Sequence, residues 1–105
     1  MELNEQNYEE VINGDRQPVM VEFWADWCGP CRMMAPTIDR VKQEYGDQIL
    51  VSKINVDAQP ELSERHRISS IPTVFIMQDG EVKERLIGAR PFDDLEVVLK
   101  RYLEA

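Results

Sequence analysis

Apolar positions along the chain switch between two periods, and the switches mark its elements. Tyr8, Val11 and Ile12 follow helical i, i+3, i+4 spacing, with Asn4 as a candidate cap and Gly14 as a stop. After Pro18, the run Val19 to Ala25 is nearly all apolar and rich in β-formers, as expected of a strand covered on both faces. Met34, Ile38, Val41 and Tyr45 return to helical spacing and run to Gly46, with Pro36 inside that helix and expected to kink it. Ile49 to Val56 alternates weakly as a second central strand, and Pro60 suits the first turn of a short helix ending near His66. Thr73 to Met77 is another apolar run, Asp79-Gly80 signals a hairpin turn, and Glu81 to Ile87 alternates as the partner strand. Pro91 opens a last helix with Phe92, Leu95, Val98, Leu99, Tyr102 and Leu103 on one face. The order α-β-α-β-α-β-β-α predicts an α/β chain whose first strands are parallel and whose hairpin supplies an antiparallel edge.

Within this pattern Glu22 is out of place. Its neighbours Val21 and Phe23 predict burial, where an isolated carboxylate is costly, so its pKa should rise or it must find a partner. Lys53, in the second strand, is the candidate partner. Trp24 is expected to pack in the core and Trp27 to lie at the surface. Met33 and Met34 are both read as helix packing.

With 105 residues, one domain spanning 1–105 and one core are expected. A content of 43% hydrophobic and 30% charged residues fits a globular class and needs no disordered or fibrous one. The net charge of -8 argues against a nucleic-acid partner, since no basic stripe is present to meet phosphates. No apolar run approaches a membrane span, and Met1 to Glu5 has neither a basic nor an apolar leader region. A cytoplasmic location is the resulting expectation, in a compartment where a disulfide would be transient.

The chain has two cysteines, Cys28 and Cys31, in Trp27-Cys28-Gly29-Pro30-Cys31, between the first strand and the long helix. A structural disulfide or half of a zinc site is the plainer reading, but a zinc site lacks its second cysteine pair and has only His66 as a further good ligand. Redox chemistry fits the position better. Cys28 at the helix start meets unpaired N–H groups and the positive end of the helix dipole, which stabilise a thiolate. Cys31 lies one turn on, on the same face, within disulfide reach. In this reading Cys28 attacks a substrate disulfide and Cys31 resolves the mixed disulfide, helped by a base that takes its proton. Gly29 lets a partner backbone approach closely, and Pro30 fixes φ at the helix entry.

The run Phe23 to Cys31, with Pro36, Lys53, Ile71-Pro72-Thr73, Asp79-Gly80 and Gly88-Ala89, resembles the thioredoxin family over essentially the whole chain. The resemblance implies the thioredoxin fold: a central mixed β-sheet of four main strands plus a short or vestigial N-terminal strand, flanked by four helices. It implies a thiol–disulfide oxidoreductase, a protein-disulfide reductase serving electron transport and cell redox homeostasis. Its redox-active Cys28–Cys31 disulfide would do the chemistry without a cofactor or metal. Its partners would be oxidised protein substrates and thioredoxin reductase as electron donor, with no nucleic acid, no membrane and a monomeric state. The site it implies has Cys28 as nucleophile, Cys31 as resolving thiol, Glu22 as proton acceptor, Lys53 tuning it, and a cis peptide before Pro72. Trp27, Val56, Ile71, Gly88 and Ala89 would line an apolar groove, with the Ile71 backbone pairing with an extended substrate. The chain departs from the family where Glu22 replaces a typical Asp, where Arg67 and Ser70 replace glycines, and where His66 replaces an aromatic residue. A disulfide isomerase or oxidase is the alternative enzyme, and a holdase using only the groove is the alternative outside enzymes.

Overall fold

The computed structural model describes residues 1–14 and 17–103. Its elements are α1 (Tyr8–Asn13), β1 (Val19–Trp24), α2 (Gly29–Tyr45), β2 (Leu50–Asn55), α3 (Pro60–Arg65), β3 (Thr73–Gln78), β4 (Glu81–Ile87) and α4 (Phe92–Leu99). A 3-10 turn, Lys100–Tyr102, extends α4. The strands form one sheet in the order β2-β1-β3-β4. β1 runs parallel to β2 and antiparallel to β3, which is antiparallel to β4. Parallel pairing is therefore confined to the β1–α2–β2 crossover, and the sheet is mixed.

Alternation along β1 sorts its side chains between two cores. Met20 packs with Met34, Ile38 and Val41 of α2 and with Leu95 and Leu99 of α4. Val19, Val21 and Phe23 pack on the other face with Tyr8 and Ile12 of α1 and Leu62 of α3. A strand covered on both faces favours apolar residues at every position, which explains a run that only Glu22 interrupts. The same alternation puts Glu22 on the α2 face beside Met20.

Several local expectations shift by a residue or a turn. Asn4 caps the turn ahead of α1: its Oδ1 accepts from the Gln6 and Asn7 N–H groups at 2.9 and 2.8 Å. The vestigial first strand is a single parallel bridge, Glu2 to Lys53, with Leu3 N donating to Lys53 O at 2.8 Å. It covers the outer edge of β2, where open backbone groups would otherwise invite another strand. α2 runs on through Pro36, whose missing N–H leaves the Arg32 carbonyl without its helical donor. Met34 is buried as expected, whereas Met33 points to solvent and is 80% exposed, because adjacent helix positions lie about 100° apart. Trp24 is only half-buried, at the end of β1, with Lys53 Nζ 4.6 Å over its ring. The hairpin between β3 and β4 has Asp79 at φ 55° and Gly80 at φ 77°, the paired left-handed conformation of a two-residue turn. A Cβ at Gly80 would also lie 2.2 Å from Asn13 Oδ1.

Candidate active site

β1 ends at Trp24, and a short turn delivers Cys28 to the N-cap of α2. Its backbone is extended there, at φ -86° and ψ 106°, and its Sγ accepts the Cys31 N–H at 3.1 Å. Pro30 sits in the first turn, where its missing N–H costs nothing. Cys28 and Cys31 are joined as a disulfide with Cα atoms 5.2 Å apart. The pair packs with Ala25 against Trp24, Val56 and Ile71.

The facing wall comes from the loop before β3. The Ile71–Pro72 bond is cis, and the Ile71 carbonyl oxygen is 3.8 Å from Cys28 Sγ. Thr73 Oγ1 donates to Ser70 O at 2.6 Å, and Gly88 N donates to Pro72 O at 2.8 Å. Gly88 has φ 93°, a conformation that disfavours any side chain. The structure thus brings Val56 and Ile71 onto the cysteines and ties Gly88 to Pro72, while Ala89 follows Gly88 at the surface.

Trp27 is 67% exposed, yet its indole is held: Nε1 donates to Asp57 Oδ2 at 2.7 Å. The Asp57 N–H in turn bonds Asn55 Oδ1 at 2.9 Å. Asp57 was not found by sequence reasoning, because an acidic residue just past a strand looks like any solvated turn. Asp57→Ala should free the ring. We expect faster fluorescence anisotropy decay of Trp27 in a Trp24→Phe background; an unchanged decay would mean that packing alone holds it.

Glu22 lies under the α2 side of the site. It is 5% exposed, and its Oε2 has no hydrogen-bond partner among the described residues. Burial pushes its carboxyl up to about 7, against the pull of the Lys53 ammonium and with reinforcement from the Glu2 and Asp39 carboxylates. Lys53 is its register neighbour across β1–β2. The lysine's ion pair, however, is with Glu2, at 3.6 Å, and its Nζ lies 4.6 Å over the Trp24 ring. The expected partner therefore acts on Glu22 through space, because the long lysine stem carries its ammonium to solvent. Glu22 also lines a cavity of about 170 Å³ with Ala35, Asp39, Lys42 and Lys53. Ala35 is one turn beyond Cys31 on the same face of α2, so the cavity flanks the helix one turn past Cys31. At about 30 Å³ per water, it has room for a short chain of solvent linking the carboxyl to the charged rim.

No group of three or more His, Cys, Asp or Glu among the described residues could hold a metal ion. No helix there is long and apolar enough to cross a membrane. What the arrangement can do is trade one disulfide for another, and the mixed sheet with this cysteine pair defines a thiol–disulfide oxidoreductase. A thioredoxin family model matches residues 1–101. The chain is 42% identical over 104 residues to a thioredoxin of Alicyclobacillus acidocaldarius, covering 99% of this chain and 98% of that one. It is 47% identical over 95 residues to a thioredoxin of Porphyra purpurea, covering 90% and 88%. With thioredoxin M5, chloroplastic, of Oryza sativa it shares 43% identity over 102 residues, which is 97% of this chain and 59% of that relative. The chain thus spans about three-fifths of the rice relative's length. It belongs to the thioredoxin family.

Proposed function

We propose that the chain is a single thioredoxin domain, residues 1–105, that reduces disulfides of protein substrates. The observation that carries this reading is the Cys28–Cys31 disulfide at the start of α2, facing the Ile71 carbonyl. The dithiol form does the work. Cys28 thiolate attacks one substrate sulfur, forming a mixed disulfide and expelling the other sulfur as a thiolate. Cys31 gives its proton to Glu22, and its thiolate then attacks Cys28 Sγ. The Cys28–substrate bond breaks, the second substrate sulfur leaves as a thiolate that takes its proton from solvent, and the chain is left as the disulfide. Two electrons have passed to the substrate. A reductase of the thioredoxin reductase class restores the dithiol, and Lys53 tunes Glu22 electrostatically.

Trp27, Val56, Ile71, Gly88 and Ala89 form the substrate groove, with cis Pro72 shaping it and Gly29 giving room for a substrate backbone. The Ile71 backbone receives an extended segment as an added strand would. The working compartment is one that keeps thiols reduced, and we place it in the cytoplasm; the rice relative is named as chloroplastic. The test is the reduction potential of the Cys28–Cys31 pair together with turnover of a protein disulfide, with and without a reductase. A potential well on the reducing side and reductase-dependent turnover are expected. A potential near about -120 mV, the range of strong dithiol oxidants, would overturn the reductase reading in favour of an oxidase.

A further inference from the structure

The loop that delivers Ile71 is gripped from β4 by a side chain that takes no part in sulfur exchange. Arg85 Nη1 donates to the His66 carbonyl at 2.7 Å, and Nη2 donates to the Arg67 carbonyl at 2.8 Å. The guanidinium also lies 5.2 Å over the Phe75 ring. A planar fork suits two adjacent carbonyls in a way that a point-charge lysine does not. Between those carbonyls the chain is contorted. Arg67 has φ 54°, a left-handed conformation unfavourable for a residue with a Cβ. The turn reverses the end of α3, with Arg67 N bonded to Glu64 O and Ile68 N to Ser63 O.

The preceding residue is fixed as well. The His66 ring meets Tyr8, Phe23 and Phe75 edge-on, and its Nε2 is 2.5 Å from the Tyr8 hydroxyl. One end of segment 66–72 is therefore anchored at His66 and Arg67. The other end is anchored where Thr73 bonds Ser70 O and Gly88 bonds Pro72 O. Between the anchors lies Ile71, whose carbonyl faces Cys28.

We propose that Arg85 is a positioning residue for substrate recognition: by clamping the left-handed turn at Arg67, it holds the Ile71 backbone where an extended substrate pairs. This rests on the reading of Ile71 as the substrate-facing wall. The clamp lies on the opposite face of the sheet from Glu22, so it bears on recognition of a peptide backbone and leaves the reactivity of Cys28 alone.

The test compares a disulfide-linked peptide with a small aromatic disulfide that has no peptide backbone. Arg85→Ala should raise KM for the peptide roughly five- to tenfold with kcat little changed, the scale of a modest misplacement of binding groups. The rate with the aromatic disulfide should not move. Arg85→Lys, which cannot span both carbonyls, should resemble Arg85→Ala. Arg67→Gly, added to Arg85→Ala, should recover most of the lost KM, because glycine adopts φ 54° without a clamp. Arg85→Lys carries the test if Arg85→Ala alone folds poorly. An unchanged peptide KM in folded Arg85→Lys and in the double variant's Arg85→Ala parent, or equal slowing of both substrates, would overturn the proposal. The Ile71 reading is checked separately on the parent chain, with the peptide N-methylated beside its cysteine. If N-methylation leaves KM unchanged, the Ile71 wall fails, and the clamp proposal fails with it. If N-methylation raises KM while Arg85→Ala does not, the clamp alone fails.

Discussion

Replacing Cys31 with serine is expected to leave the chain covalently attached to its substrate. Cys28 keeps its place at the N-cap of α2, with the residue 31 N–H directed at its sulfur, so its first attack proceeds. A serine hydroxyl cannot displace sulfur at neutral pH, so the mixed disulfide accumulates and turnover falls on the order of a thousandfold or more, the scale of removing one member of a catalytic unit. Cys28→Ser should lose turnover to the same extent with no adduct at all. The two outcomes separate the roles, which exposure does not: Cys28 is 3% and Cys31 5% exposed. Position ranks them instead. Cys28 is the helix cap and faces the Ile71 carbonyl, whereas Cys31 lies a turn inside, on the side of α2 that packs on the sheet. Mass spectrometry of the substrate mixture, before and after dithiothreitol, reads the result. A stable adduct on Cys28→Ser and none on Cys31→Ser would reverse the assignment.

The parts of this fold that local chemistry dictates could be read from the chain. β1 shows in its nearly continuous apolar run because two cores, one under α2 and α4 and one under α1 and α3, claim alternate residues. The hairpin shows because Asp79 and Gly80 must both take positive φ. The direction of β3 did not show, since a strand's residues carry the same pattern whichever way it runs. Met33 was misplaced because it was read by residue type, although the spacing of Met34, Ile38 and Val41 already marks Met34 as the inward member. Asp57 and Arg85 escaped for a common reason. Each acts across a long sequence gap, on a Trp27 ring 30 residues away or a carbonyl 19 residues away. Neither residue type at that position departs from what a solvated surface would hold. Lys53 was found, yet its contacts with Glu2 and Trp24 depend on where a flexible stem ends. Cys28, Cys31 and Glu22 were conspicuous because each breaks a local rule: paired thiols at a helix start, a charge in an apolar run. Pro72 came from the family resemblance alone, since few X-Pro bonds are cis.

Glu22→Gln should make the protein more stable and the reaction slower. The carboxyl titrates near 4.5 in an unfolded chain and is pushed up to about 7 in the folded one, chiefly by burial. Between those values the folded state holds a proton that the unfolded state has lost. Stability therefore falls as pH rises from about 4.5 to about 7, and stays lower above that. The difference corresponds to about 3 kcal/mol at pH 8. A glutamine of the same shape carries no such penalty beyond burying its amide, so urea unfolding of the disulfide form should show the variant gaining up to about 3 kcal/mol at pH 8 and almost nothing at pH 4.5. The same substitution removes the group proposed to take the Cys31 proton. Release of the mixed disulfide should slow by a factor on the order of ten to a hundred, with its rise around pH 7 abolished, while the first attack by Cys28 is unaffected. The opposite signs are what make the pair of measurements decisive. A structural carboxylate, kept only for packing, would cost nothing in rate when neutralised. If stability rises but release runs at the parent's rate across pH 6–9, the buried charge is not the acceptor, and Cys31 must give its proton directly to solvent.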